Sequence, residues 1–376
     1  MMKKWPLLLA TLFAATSHIY ANDCAKKLTL STGETDSLDL KIGQLIIFGF
    51  YGTRVTPDNP VYQAVQQGKV GSILIYGRNI AKKNAADSLQ QLIATFQQAA
   101  PIPLFISIDQ EGGKVNRLRP ELGFPNMPSA LWLGTMNQQD STLFYGGVIA
   151  ATLRQLGINL NYAPVLDIHS PTCPVLGARE RCFSADPQEV ARHAAWMVDA
   201  HHAYNVKTVL KHFPGHGSSL ADSHLGVADV TRTWKPEELL PYRQLIAQGK
   251  ADAIMTAHIV NGQLDPTLLP ATLSKKIMTG LLRDSLGFTG VIFSDDMQMK
   301  AISEQYKLED AIYLALDAGV DVLMFSNNIP GVKDYAPDNI HRLMKQLVLS
   351  GKIAPERIDA SFRRVMALKN RQYPVN

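Results

Sequence analysis

Residues 205–224 read NVKTVLKHFPGHGSSLADSH, and the first part of that stretch decides how the second is understood. Val206 to Leu210 is a short apolar run rich in β-branched residues, closed by proline and glycine a few positions later, which is the pattern of a buried strand. The strand then opens into a lysine, three histidines and an aspartate threaded between glycines and serines. That composition serves a metal site, a proton-handling loop, or a grip on an anionic or hydroxyl-rich ligand.

Reading outward, the same kind of run recurs. GQLIIFGF (43–50), GSILIYG (71–77), PLFISID (103–109), INLNYAPVLD (158–167), ADAIMTAH (251–258), GVIFSDD (290–296) and VDVLMFS (320–326) join VKTVLKH (206–212) to make eight candidate strands. Segments with helical spacing lie between them, among them 85–100, 187–204 and 309–319, and two more, 335–349 and 356–369, end the chain. Strands separated by helices need crossover connections and so form a parallel sheet. Eight such units in about 330 residues predict an α/β fold, a (β/α)₈ barrel in a single domain over 40–376. The carboxyl ends of the runs carry Asp109-Gln110-Glu111, Asp167, Lys211-His212, His258 and Asp295-Asp296. In such a barrel those ends converge on one pocket. An open doubly wound sheet is the alternative, but it does not gather residues from so many strands, and no Gly-rich phosphate loop follows the first strand.

Composition narrows the class. The chain has 376 residues, 46% hydrophobic and 19% charged, with a net charge of +4 and no basic run, which points away from nucleic acid. MMKKWPLLLATLFAATSHIYA has the basic start, short apolar centre and small final residue of a secretory signal. The expectation is a signal peptide over 1–21 cleaved after Ala21, an N-terminal extension over 22–39, and a periplasmic or secreted protein. The apolar centre is shorter than the roughly 20 residues that span a bilayer, so no membrane span is expected once it is removed. Cys173 and Cys182 share one loop, where they either pair or stay free, and Cys24 is left over.

For the loop itself, metal is the weaker reading. His212, His216 and His224 lack the spacing of common zinc sites, and Pro214, Gly215 and Gly217 prevent a helix that would align them. Proton handling fits better: in Asp222-Ser223-His224 a carboxylate two residues from an imidazole fixes its tautomer and raises its basicity.

KHFPGHG followed by DSH, together with DQEGG (109–113), NYAPVLD (161–167), MTAH (255–258) and FSDDMQM (293–299), resembles the family 3 glycoside hydrolases, and within them the single-domain β-N-acetylglucosaminidase branch. The likeness runs from about residue 40 to 330, with the motifs in the family's order. It implies a (β/α)₈ barrel and a retaining, exo-acting enzyme that removes terminal β-GlcNAc from peptidoglycan fragments or related oligosaccharides. On that resemblance Asp295 is the nucleophile, and His224 is the acid/base oriented by Asp222. Asp109, Arg117, Arg181, Lys211 and His212 bind the sugar, while His216 and His258 pack the pocket wall; Asp296, by strand alternation, points away from Asp295 to a barrel-end hydrogen bond or ion pair. Neither a metal nor a cofactor is implied, and the partner is a small glycoside or muropeptide met by a monomer. The chain departs from the branch at Ser218-Ser219, where relatives carry Asp-Thr, and in TCPVLGARERCF (172–183), where Arg179 adds a second arginine near Arg181. A β-glucosidase, a phosphorylase, a zinc hydrolase and a non-catalytic sugar-binding barrel are the competing readings.

Overall fold

A computed structural model describes residues 37–373. The expected signal peptide and most of the expected 22–39 extension lie outside the described residues. Helix Leu38–Gly43, capped by the Ser37 side chain, crosses the expected boundary at residue 40 and is already part of the barrel.

All eight expected strands are present: β1 Ile46–Gly49, β2 Ser72–Ile75, β3 Phe105–Ile108, β4 Leu160–Asn161, β5 Lys207–Phe213, β6 Ala253–Thr256, β7 Val291–Asp296 and β8 Val322–Phe325. They pair in parallel with their sequence neighbours, and β8 pairs with β1 to close the ring. Helices follow where the spacing places them, including Ala85–Ala99, Pro187–His202, Leu308–Ala318, Pro337–Leu349 and Pro355–Asn370. Strand positions are buried because helices cover the outside of the ring while side chains fill its axis. Phe105 on β3 meets Phe293 on the opposite strand edge-on at 6.4 Å, and Tyr162 meets Phe293 at 6.2 Å. The barrel is a packed core with no channel along these contacts.

Two strands depart from regular pairing. Between Leu210 and Phe213 β5 advances three residues while β6 advances two, and β7 does the same against β8 between Phe293 and Asp296. Each is a bulge at the carboxyl end of a strand, the position where a bulge re-aims side chains.

The opposite end of the barrel holds a different set of polar residues. Lys369, from the last helix, donates through Nζ to Gln44 Oε1 (2.6 Å), Pro103 O (2.7 Å) and Gly71 O (2.8 Å), which lie just ahead of β1, β3 and β2. The buried Asp321, ahead of β8, accepts from Arg283 (2.6 Å), Arg364 (2.9 Å) and Ile292 N (2.9 Å). These groups staple the final helix across the strand starts. Lys369→Met leaves the three acceptors short of a donor, and it is expected to cost about 2–3 kcal/mol of stability by urea unfolding.

Candidate active site

The site is built on the bulge of β5. Regular alternation would turn Lys211 and His212 to opposite faces. Here both reach into the pocket, Lys211 to the end of β3 and His212 to the end of β4. Lys211, 1% exposed, donates to Asp109 Oδ1 at 2.7 Å and lies 2.6 Å from Glu111 Oε1. His212 Nδ1 donates to Asp167 Oδ2 at 2.6 Å, which leaves Nε2 as the acceptor for an Arg181 N–H at 3.3 Å.

Arg181 also meets both oxygens of Glu111, at 2.9 and 2.8 Å, and donates to Val175 O at 3.1 Å. Arg117 closes the set, 3.5 Å from Asp109 Oδ2. It is carried by a short antiparallel ribbon, Gln110–Gly112 against Val115–Asn116, and Gln110 Oε1 accepts from the backbone N–H of Arg117 at 2.9 Å. Burial alone would raise the Asp109 and Glu111 pKa values, but Lys211 with Arg117, and Arg181 with Lys211, hold them below the usual carboxylate range.

Asp295 stands across the pocket on β7, half-buried, with its N–H donating to Thr256 Oγ1 at 3.3 Å. Its Oδ1 accepts the Asp296 N–H at 2.7 Å. Burial opposes its charge, but His258, His212 and His224 outweigh that and lower its pKa. Asp296 has the opposite environment. Its carboxylate is enclosed by the Ser326 hydroxyl and by the N–H groups of Ser326 (3.2 Å) and Gln298 (3.1 Å), and burial lifts its pKa to about 6. The two adjacent aspartates thus separate into one facing the pocket and one tied to the barrel rim.

The loop after β5 bends back over this mouth. Gly217 packs so tightly on Ile168 that a β-carbon there would lie 2.1 Å from Ile168 O. His216 accepts or donates at Ser223 Oγ through Nε2 (3.0 Å), and Ser223 O accepts from Ala301 N (3.4 Å), just beyond β7. His224 therefore hangs next to the Asp295 strand. Its Nδ1 donates to Asp222 Oδ1 at 2.8 Å, and with a half-exposed ring it turns Nε2 outward from that bond.

Three loop histidines do not form a common cage. His212 serves Asp167 and His224 serves Asp222, while burial lowers His216 to about 4. Among the described residues no three His, Cys, Asp or Glu side chains converge to hold a metal ion. His258 donates through Nε2 to Asp296 O (2.9 Å) and meets Thr272 Oγ1 (2.7 Å), a pocket-wall position. Cys173 and Cys182 are buried and unpaired, and the Cys173 thiol points at His216 O, 3.6 Å away.

Every residue expected to bind sugar sits in this one cluster. Glu111 and Asp167 were visible as strand-end carboxylates, but nothing in their spacing marked them as the partners of Arg181 and His212. Tyr76 was missed altogether; it lies under Arg117, 5.3 Å from its guanidinium to the ring centre. Its only sequence signal is its place directly after β2.

Residues 37–368 match the glycosyl hydrolase family 3 N-terminal domain. A β-hexosaminidase of Tolumonas auensis is 39% identical over 267 residues, covering 70% of this chain and 77% of that protein. One of Idiomarina loihiensis is 32% identical, covering 83% and 95%. Among solved structures, a family 3 β-N-acetylglucosaminidase from Paenibacillus superposes with a TM-score of 0.81 at 35% identity over 89% of this chain, which spans 62% of that longer one. A β-N-acetylhexosaminidase from Beutenbergia cavernae gives 0.78 at 30% identity, covering 89% and 99%. A match that starts at the first barrel helix and runs into the last leaves no part of the ring outside it, and the chain belongs to glycosyl hydrolase family 3.

Proposed function

We propose that this glycoside hydrolase is an exported, monomeric, exo-acting β-N-acetylglucosaminidase that retains anomeric configuration and takes terminal GlcNAc from peptidoglycan fragments. One observation carries the reading: the loop that bears the Asp222–His224 pair is tied through Ser223 O to Ala301 N, just beyond the strand that carries Asp295. A retaining glycosidase needs a carboxylate and a proton donor on the two sides of one glycosidic bond. The names of the β-hexosaminidase relatives support the amino-sugar preference.

In this mechanism Asp295 Oδ2, the oxygen not held by the Asp296 N–H, attacks the anomeric carbon. The bond to the leaving oxygen breaks as His224 Nε2 gives it a proton, leaving a glycosyl ester on Asp295. Neutral His224 then takes a proton from water, whose oxygen attacks the same carbon and releases Asp295 as the carboxylate. An imidazole suits an anionic leaving group, because once it has given up its proton it is neutral where a carboxylate would be repelled.

The charge cluster around Lys211 is the sugar platform. An ammonium has three hydrogens, and Asp109 and Glu111 take two, so a third is available to a hydroxyl. Asp109 and Arg117 are the more open members, at 20% and 30% exposure, and meet hydroxyls directly. Arg181 and His212 are nearly covered by Glu111 and Asp167, and they act by holding those carboxylates and Lys211 in register.

Two substitutions test the roles. Asp295→Ala should lower turnover of an aryl β-N-acetylglucosaminide by about 10⁴-fold or more with the far-ultraviolet circular dichroism spectrum unchanged. Retained activity would remove Asp295 from the reaction. His224→Ala should cost about 10²–10³-fold on a GlcNAc–anhydroMurNAc disaccharide, whose leaving group needs a proton, and far less on an activated aryl glycoside. Equal losses on the two substrates would exclude the acid role.

A further inference from the structure

A hollow of about 390 Å³ lies among helices Gln139–Leu156, Pro187–His202 and Leu240–Ala247, and it shares no residue with the catalytic pocket. That volume is in the range of sites that hold small molecules. Its floor is one stripe of the middle helix. Gln188, Arg192, Ala195 and Asp199 follow the i, i+4, i+7, i+11 rhythm of a single helix face, with Trp196 beside them. At the helical rise the stripe is about 16 Å long, so the hollow is a groove shaped for a chain and not for one ring. The small Ala195 side chain at the middle of the stripe gives the groove its depth. Gln244 and Gln248, one turn apart at the end of Leu240–Ala247, form a wall, and Gln139 lines it from the third helix.

The charged groups here answer one another. Lys250 Nζ donates to Asp199 Oδ2 at 2.6 Å, and Arg192 pairs with Glu189 of its own helix. No unanswered charge invites an ion, and among the described residues lining the groove only Ala195 and Trp196 are apolar. What remains is carboxamide. Gln244 Nε2 donates to Gln188 Oε1 across the two helices. The Gln188 amide hydrogens, Gln244 Oε1 and both ends of Gln139 and Gln248 have no protein partner among the described residues. Trp196 is half-buried and held edge-to-face against His193 at 4.9 Å. His193 is fixed in turn by the Thr142 hydroxyl (2.8 Å) and Asn137 Oδ1 (3.2 Å), so the indole is anchored from behind.

We propose that this groove is a second saccharide site, which binds an uncharged chain of N-acetylated sugars outside the catalytic pocket. A carboxamide offers a donor and an acceptor side by side, so one glutamine pairs with both the N–H and the C=O of an acetamido group, or with two hydroxyls. The indole supplies a fixed apolar surface for the face of a pyranose. The choice of acetamido sugars over sugars with hydroxyls alone rests on the amino-sugar activity proposed above; the groove itself does not. A chain held there raises the effective concentration of its ends at the pocket.

The test is the two-dimensional indole N–H spectrum of isotope-labelled full-length protein carrying Asp295→Ala, with the Trp196 signal identified by its loss in W196F. A tetramer of β-linked GlcNAc and cellotetraose are titrated separately. The Trp196 signal should move and saturate with the GlcNAc tetramer. Replacing two wall residues, Q244A with Q248A, should raise the Kd read from that signal about tenfold or more. The Trp234 signal, whose N–H is held by Pro214 O at 3.0 Å, reports that the variant is folded. Cellotetraose, which lacks acetamido groups, should bind at least about tenfold more weakly than the GlcNAc tetramer. An unmoved Trp196 signal, a Kd unchanged in the double variant, or equal binding of cellotetraose overturns the proposal. Free GlcNAc appearing in the sample would instead count against Asp295 as nucleophile, a failure separate from that of the groove.

Discussion

A lysine with 1% of its side chain exposed must find counter-charge or lose its proton, and Lys211 finds it in two carboxylates just beyond β3. Much of the pocket follows from that requirement. Glu111 serves Lys211 and Arg181 together, Asp109 serves Lys211 and Arg117, and Asp167 holds His212 beside Arg181. Three cations, Lys211, Arg117 and Arg181, thus meet two carboxylates, Asp109 and Glu111, while Asp167 pairs with the His212 imidazole. Removing one member of such a buried set strands its partners, at about 3–5 kcal/mol. The arrangement is a cross-linked polar surface at the carboxyl ends of the strands.

The two ends of the barrel divide the work of folding and chemistry. At the strand starts, Lys369 and Asp321 spend their hydrogen bonds on backbone at or just ahead of the strands and on helix side chains, so the groups there are satisfied internally. At the strand ends, Asp295, Arg117 and His224 keep atoms unclaimed. The difference is one of geometry. The final helices return to the barrel at its base and cover it, while at the other end only loops follow the strands.

The proposed nucleophile and the proposed acid/base are held differently. Asp295 is fixed by a strand, by the Thr256 hydroxyl and by the Asp296 N–H. His224 sits on a loop that exposes Leu220 and Leu225 to solvent and touches the rest of the barrel at few points.

The sequence alone determined the ring of eight parallel strands, because buried strands and covering helices impose different apolar periods that can be counted residue by residue. It also identified the residues that face the pocket, since polar side chains at strand ends have one common destination in a closed barrel, and family likeness attached roles to them. Tertiary structure decided the rest. The bulges that turn Lys211 and His212 into the same pocket arise from β5 advancing against β6, which no single strand encodes. The pairing of Arg181 with Glu111 and the difference between Asp295 and Asp296 depend on residues distant in the chain. Spacing reports which face a residue occupies. Which charge it meets there is set only when the ring has closed.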